Sequence, residues 1–127
     1  MVLDAEGAGA QSRQSGSAEV SVKAVRPRRS AIDDVERAID YYLGEGSIDA
    51  ASGFVDALEG AYSEIGRHPS IGSPRYAVEL NLPELRHWAL TKSPYLVFYV
   101  DRADHIDVWR VLHQHRNIPA SMQDGAG

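Results

Sequence analysis

The chain has 127 residues, no cysteine and a formal net charge of −5 at pH 7. This length fits one domain, and the lack of cysteine excludes disulfides, thiolate nucleophiles and zinc–thiolate sites. The negative charge disfavours a surface built as a whole for nucleic acid, so we expect no sequence-specific DNA binding. No apolar run approaches the roughly 20 residues of a bilayer-spanning helix, and the N-terminus lacks the pattern of a secretory signal. We therefore expect a cytoplasmic protein with no membrane contact.

The charged residues divide the chain into two parts. Ser30 to Glu64 contains nine acidic residues and one basic residue, a formal charge of −8. Ile65 to Met122 contains seven basic and five acidic residues, and it holds all five histidines. Because imidazole and guanidinium groups serve proton transfer, phosphate binding and polar contacts, we expect function to lie in the second part.

The two ends differ in composition from the rest. Residues 1–16 and 123–127 are small or polar, so they cannot repay the entropy lost on ordering and are predicted to be an unstructured leader and tail. Residues 17–122 are then a single domain. Within it, apolar and polar residues alternate from Glu19 to Val25, a period of two that predicts a short strand ending before Pro27.

The first predicted helix follows this strand. Ser30 is placed as its N-cap, and Gly44 or Gly46 is placed to end it. Its apolar residues recur at helical spacing on one face: Ile32, Val35, Ile39, Tyr42 and Leu43.

A second helix is predicted from a cap at Ser47 to a stop before Pro69. Its apolar positions are Ala51, Phe54, Leu58, Tyr62 and Ile65. The link between the helices is so short that we expect an antiparallel hairpin. Gly53 and Gly60 disfavour a helix interior, and we expect them to permit close packing against the first helix or, alternatively, to open a groove for a partner's helix.

Three strands are predicted next: Leu85–Leu90, Tyr95–Val100 and Ile106–Leu112. Their short connections predict an antiparallel meander, and the nearly continuous apolar run of the middle strand predicts burial on both sides. With the helical hairpin packed on one side of the sheet, the fold class is α+β.

The last strand leads into the most informative segment of the sequence. Arg110, His113, His115 and Arg116 place two guanidiniums and two imidazoles within seven residues. Each has a structural interpretation as well as a functional one, since strand histidines are commonly packed and exposed terminal residues are commonly solvated. His113 and His115 are predicted to point to opposite sides of a strand, and no carboxylate lies at ligand spacing beside them, so we expect no metal site. The sequence shows no glycine-rich phosphate loop, and we expect no cofactor.

The order of these elements resembles the ParE toxins of the RelE/ParE toxin–antitoxin superfamily, also called plasmid stabilisation proteins. The resemblance covers about residues 20–122. The residues that carry it are Asp33-Asp34-Val35, Tyr42, His68-Pro69-Ser70-Ile71-Gly72, Leu85-Arg86, Tyr95-Leu96-Val97-Phe98-Tyr99 and Trp109-Arg110-Val111-Leu112-His113-Gln114-His115-Arg116.

The resemblance implies the toxin of a type II module, which inhibits DNA gyrase by binding it and is neutralised by a ParD-like antitoxin. Under this hypothesis the protein is not an enzyme. The alternative is a RelE-type endoribonuclease that cuts messenger RNA on the ribosome. The two lysines, Lys23 and Lys92, are fewer than the RelE branch generally uses, which favours the ParE hypothesis.

Candidate site residues differ between the two hypotheses. For partner binding we predict Arg86, Trp109, Arg110, His113 and Arg116, because tryptophan and arginine are common interface anchors. For RNA cleavage, which needs a base, an acid and cations, the candidates are His113, His115, Arg116 and Arg86. Arg86 has a third interpretation, an ion pair with Asp101 or Glu84.

Overall fold

The structure is a computed structural model that describes residues 22–125, with side chains through Gln123. The elements in chain order are β1 (Ala24–Pro27), α1 (Arg29–Gly44), α2 (Ile48–Arg67), a 3₁₀ turn (Pro69–Ile71), α3 (Arg75–Glu79), β2 (Leu85–Ala89), β3 (Tyr95–Asp101), β4 (His105–His113) and α4 (Ile118–Gly125). The predicted leader and the first residues of the predicted N-terminal strand lie outside the described residues. The predicted α+β class is confirmed.

The four strands form one sheet in the order β1-β4-β3-β2. β2, β3 and β4 pair antiparallel, which confirms the predicted meander, and β1 pairs parallel with the start of β4. β3 therefore lies between two strands, and its residues from Val97 to Val100 are buried, as the apolar run predicts.

The predicted helical hairpin is also confirmed, and it covers one side of the sheet, which we call the hairpin face. The Ser47 hydroxyl caps α2 by accepting a hydrogen bond from Ala50 N at 3.0 Å. Gly46 has a φ of 80°, the left-handed conformation that lets the chain reverse between the helices. Buried residues of this face include Ala31, Ala38, Phe54, Leu58, Ile65, Val97, Tyr99, Ile106, Val108 and Val111.

The prediction that Ser30 caps α1 is wrong. The helix begins at Arg29, and no side chain caps its first turn. Arg28 N donates a backbone hydrogen bond to Val108 O at 2.8 Å, so the chain enters the helix directly from its pairing with β4. Ser30 Oγ, now one residue inside the helix, donates to Trp109 O at 2.9 Å.

The opposite side of the sheet, which we call the second face, is covered by α3 and α4, two helices that the sequence analysis does not predict. Its core combines Leu85, Phe98, Val100, Leu112, Ile118 and Met122. α4 extends to Gly125, so the segment predicted as a tail from Gln123 begins inside a helix. Within residues 22–125 no helix is long and apolar enough to span a bilayer.

The prediction of close helix packing at Gly53 and Gly60 is wrong. Both glycines are exposed, and a Cβ atom added at either would meet no atom within 4 Å. The side of α2 that carries them is turned away from the core, because Phe54, Leu58 and Ala61 form its buried side.

Candidate functional site

The end of β4 brings His113 and His115 together. Their ring centroids are 5.3 Å apart, and His115 N donates to His113 Nδ1 at 3.1 Å. The expectation that they point to opposite sides is wrong, because the strand ends at His113 and the chain turns there, with Arg116 N bonded to His113 O at 2.9 Å. The accepted hydrogen bond places the proton of neutral His113 on Nε2.

These histidines end a row of ring contacts that crosses the edge of the hairpin face. The row, which we call the aromatic row, comprises Tyr41, Tyr42, Phe54, Tyr95, His113 and His115, with successive centroids 5.0 to 6.1 Å apart. Burial raises the pKa of Tyr95, with Tyr42 and Tyr41 acting in the same direction and Arg116 opposing them. Arg116 is exposed, so the aromatic row has a cation beside it.

A groove lies beside the aromatic row, between α2 and the turn from β2 to β3. Its volume is about 500 Å³, and its lining residues are Tyr42, Ala50, Gly53, Phe54, Asp56, Ala57, Thr91, Lys92 and Ser93. Gly53 leaves the groove open because it carries no side chain. Three of the large apolar residues that are exposed, Tyr41, Leu43 and Ile48, lie near the hairpin turn beyond it.

Arg110, a predicted partner-binding residue, does not lie on the outer surface. Its side chain is 5% exposed and donates to both carboxylate oxygens of Asp34 at 2.7 Å, and also to Ser121 O. Asp34 accepts a further bond from Val111 N at 3.0 Å. Since β1 ends opposite Val108, the Asp34 side chain of α1 takes the place of a strand partner for Val111 N at this edge of β4.

Trp109 is half-buried, and its indole is held by a hydrogen bond from its N–H and by a guanidinium over its ring. Its Nε1 donates to Asp107 Oδ2 at 3.1 Å, and the Arg28 guanidinium lies 4.3 Å from the ring centroid. Asp107 also accepts from Arg28 and Arg102 at 3.0 to 3.2 Å. Burial acts to raise the pKa of Asp107, but the hydrogen bonds from Arg28, Trp109 and Arg102 outweigh it and the pKa is lowered.

Arg86 lies at the other end of the sheet from His113. Its Nη1 donates to Gly72 O at 2.7 Å and to Ser70 O at 3.2 Å, so it holds the loop after α2. Of the acids considered for it, Asp101 pairs instead with Lys23, and Glu84 lies 3.9 Å from Arg102.

The four ribonuclease candidates therefore do not form one site. Across the sheet, Arg86 lies opposite Tyr99 and His113 lies opposite Tyr95. These two β3 positions are four residues apart, which is about 13 Å along the strand. His113, His115 and Arg116 do lie together. Among residues 22–125 no group of three or more histidine and acidic residues could hold a metal ion.

A further cluster, which no sequence pattern indicates, lies on the second face. A cleft of about 440 Å³ is lined by Arg75, Tyr76, His87, Leu96, Gln114 and His115. These residues come from α3, β2, β3 and the turn after β4. No local motif joins them, and the position of α3 was not predicted, so the sequence offers no signal for this cleft.

Comparisons with known proteins give a family match and a structural match. Residues 25–118 match the family model described as the ParE toxin of the type II toxin–antitoxin system, parDE. A solved chain titled "Chromosomal ParDE TA system from P. aeruginosa" superposes with a TM-score of 0.61 at 16% identity, covering 73% of this chain and 97% of that one. Its low identity makes it evidence for the fold alone. The search of curated proteins gives no significant match.

Proposed function

Since the chain belongs to the ParE toxin family of type II toxin–antitoxin systems, we propose that it inhibits DNA gyrase by binding and is neutralised by a ParD-like antitoxin. The observation that carries this proposal is the family match over residues 25–118, which runs from β1 into the start of α4.

The arrangement of the candidate residues supports binding over catalysis. RNA cleavage needs a base, an acid and phosphate-neutralising cations within reach of one another. Arg86 is about 13 Å along the sheet from His113, and Arg110 is committed to the buried Asp34 carboxylate. The RelE-type ribonuclease hypothesis therefore has only His113, His115 and Arg116 as a connected group.

For the gyrase contact we propose the aromatic row and its neighbour Arg116. Aromatic rings and arginine are the residues that most often anchor interfaces, and here the rings are already held by one another. Of the predicted binding residues, His113 and Arg116 belong to this surface. Trp109 and Arg86 lie elsewhere and would act through other contacts.

For the antitoxin we propose the groove beside Gly53. A groove of about 500 Å³ with an exposed glycine lets another helix approach α2 closely. Tyr41, Leu43 and Ile48 are 61%, 48% and 72% exposed, and a bound antitoxin would remove this apolar area from water.

A gyrase supercoiling assay with the purified chain tests the target. We expect inhibition with accumulation of cleaved DNA complexes, and we expect Arg116→Ala to weaken it about tenfold or more. Arg67→Ala removes a charge of the same kind from an exposed position on α2 and should leave inhibition unchanged. Normal supercoiling together with cut messages in a translation extract would instead identify the ribonuclease.

A further inference from the structure

The cleft on the second face has a polar lining that, apart from His115 at the end of the aromatic row, the proposed toxin function does not use. It lies across the sheet from the helical hairpin, next to the core formed by Phe98, Leu112 and Met122. Its volume of about 440 Å³ falls within the range of small-molecule sites, roughly 300 to 1,000 Å³.

The charge of this cleft is opposite to that of the whole chain. Arg75 supplies a permanent positive charge, His115 an imidazole and Gln114 a side-chain amide. Among the described residues that line the cleft there is no carboxylate, although the chain carries a net charge of −5. A cavity with donors and without acidic groups selects an anion.

His87 gives the cleft a flat imidazole ring. The ring centroid lies 5.1 Å from Tyr76 and 5.7 Å from Phe98. Burial and the nearby charge of Arg75 lower the pKa of His87, which favours the uncharged imidazole at neutral pH. Its Nδ1 is buried and has no hydrogen-bond partner among residues 22–125, so Nε2 is the ring nitrogen that a ligand in the cleft can reach.

The walls of the cleft are held by backbone hydrogen bonds. Ser73 and His87 exchange two of them, at 2.8 and 3.0 Å, which fixes the start of α3 beside β2. Arg75 N donates to Ser73 Oγ at 3.1 Å, and Gln114 N donates to Pro94 O at 2.8 Å. A site whose walls are fixed before binding loses less entropy when the ligand enters.

We propose that this cleft binds a nucleotide, with its phosphate held by Arg75, His115 and Gln114 and its base beside the rings of Tyr76 and His87. An inorganic phosphate would satisfy the charged groups but fill only part of the volume. A nucleotide adds a planar base of the kind that aromatic side chains hold by stacking. This inference does not depend on gyrase being the target of the toxin.

Nuclear magnetic resonance of the histidine side chains tests the proposal, with adenosine monophosphate, inorganic phosphate and adenosine as the probes. We expect saturable shifts at His87 and His115 with the nucleotide, and none at His68 and His105, which do not line the cleft. Adenosine should bind at least about tenfold more weakly because it lacks the charge, and inorganic phosphate should displace the nucleotide.

A pair of arginine variants distinguishes binding in this cleft from non-specific attraction of the nucleotide to positive charge on the protein. Arg75→Gln should weaken nucleotide binding about tenfold, whereas Arg67→Gln, which changes the net charge equally, should not. Both arginines are exposed, so both variants should fold, and the backbone amide spectrum checks this. His115→Asn, in the turn after β4, should also weaken nucleotide binding. Equal weakening by the two arginine variants, equal shifts at all histidines, or adenosine binding as well as the nucleotide would overturn the proposal.

Discussion

Asp34 and Arg110 carry opposite charges in the interior, where the structure places them between α1, β4 and α4. The Asp34 side chain is 2% exposed and that of Arg110 is 5% exposed. Taking two charges out of water is expensive, and the pair is tolerated because each carboxylate oxygen and the guanidinium have several partners. The acidic composition of α1 hides this role, since Asp34 resembles its exposed neighbours in sequence.

Replacement of Asp34 by alanine should destabilise the protein by about 3 to 5 kcal/mol, because it removes one member of a buried ion pair. Chemical denaturation followed by circular dichroism measures this change. Asp33→Ala is the matched control, since Asp33 pairs with Arg29 at the surface and such pairs contribute about 0 to 1 kcal/mol. A loss at Asp34 no greater than at Asp33 would contradict the structural role of the buried pair.

Asp107 should make stability depend on acid pH. Because its pKa is lowered in the folded state, its contribution is present above the ordinary aspartate pKa and is lost as the pH falls through the folded pKa. Asp107→Asn should cost about 2 kcal/mol at pH 7, since hydrogen bonds to a charged group are lost, and the cost should shrink in acid as the carboxylate is protonated. Denaturation at pH 7, 4 and 2 measures it.

The control for this pH series is Asp56→Asn, at an exposed position of α2. Its pH profile should follow that of the unchanged protein. A cost for Asp107→Asn that stays constant from pH 7 to pH 2 would show that the carboxylate charge is not what Arg28 and Arg102 stabilise.

The glycines of α2 and the following loop differ in what a side chain would meet. Gly53→Ala and Gly60→Ala should each raise the free energy of unfolding by about 1 kcal/mol, because both sites face open space within a helix. Gly72→Ala should lower it, since a Cβ there would lie 2.6 Å from the Tyr99 hydroxyl and 2.9 Å from His87 O. Thermal or chemical unfolding of the three variants checks the opposite signs.

Long periodic elements could be predicted from the sequence, and elements set by tertiary contacts could not. The spacing from Ala51 to Ile65 and the cap at Ser47 specify α2 locally, and the apolar run from Tyr95 specifies the central strand. α3 has five residues, too few to show a helical period, and α4 begins Ile118-Pro119, where proline usually marks a boundary. Both helices are stabilised by tertiary contacts, because they bury apolar residues of the second face.

Only the part of the candidate site that is local in sequence could be predicted, because the rest depends on tertiary contacts. Neighbours in sequence such as His113 and Arg116 could be grouped from the chain alone, although their side chains could not be oriented. The inward turn of Arg110 depends on β1 ending at Pro27, which leaves an edge of β4 for α1 to cover. The cleft of Arg75 and His87 depends on the second face, which no local pattern indicates.

At the scale of the whole molecule, the sheet separates two surfaces with different properties. The hairpin face carries the acidic helices, the groove and the aromatic row at its edge. The second face carries the cleft that we assign to a nucleotide. The groove and the aromatic row share Tyr42 and Phe54, so a bound antitoxin would cover part of the surface that we assign to gyrase. His115 is shared between the aromatic row and the cleft, so the two faces meet at this residue.

Gly53→Arg should separate toxicity from neutralisation. An arginine there would fill the groove that we assign to the antitoxin, beside Tyr42 and Phe54, while leaving the His113 and Arg116 end of the aromatic row uncovered. The helix should tolerate the change because a Cβ atom at Gly53 meets no atom within 4 Å. Cells that express this variant together with the antitoxin should stop growing, whereas the unchanged toxin should be neutralised. Growth curves and co-purification of the two chains measure both effects.

Gly60→Arg is the matched control for this prediction. It places the same side chain on the same exposed helix but outside the groove lining, so the antitoxin should still bind and protect. If both variants are neutralised equally well, the antitoxin contacts another surface, and the groove loses its role. If both escape, the antitoxin covers the whole outer side of α2 rather than the groove alone, because arginine at either position would then block it.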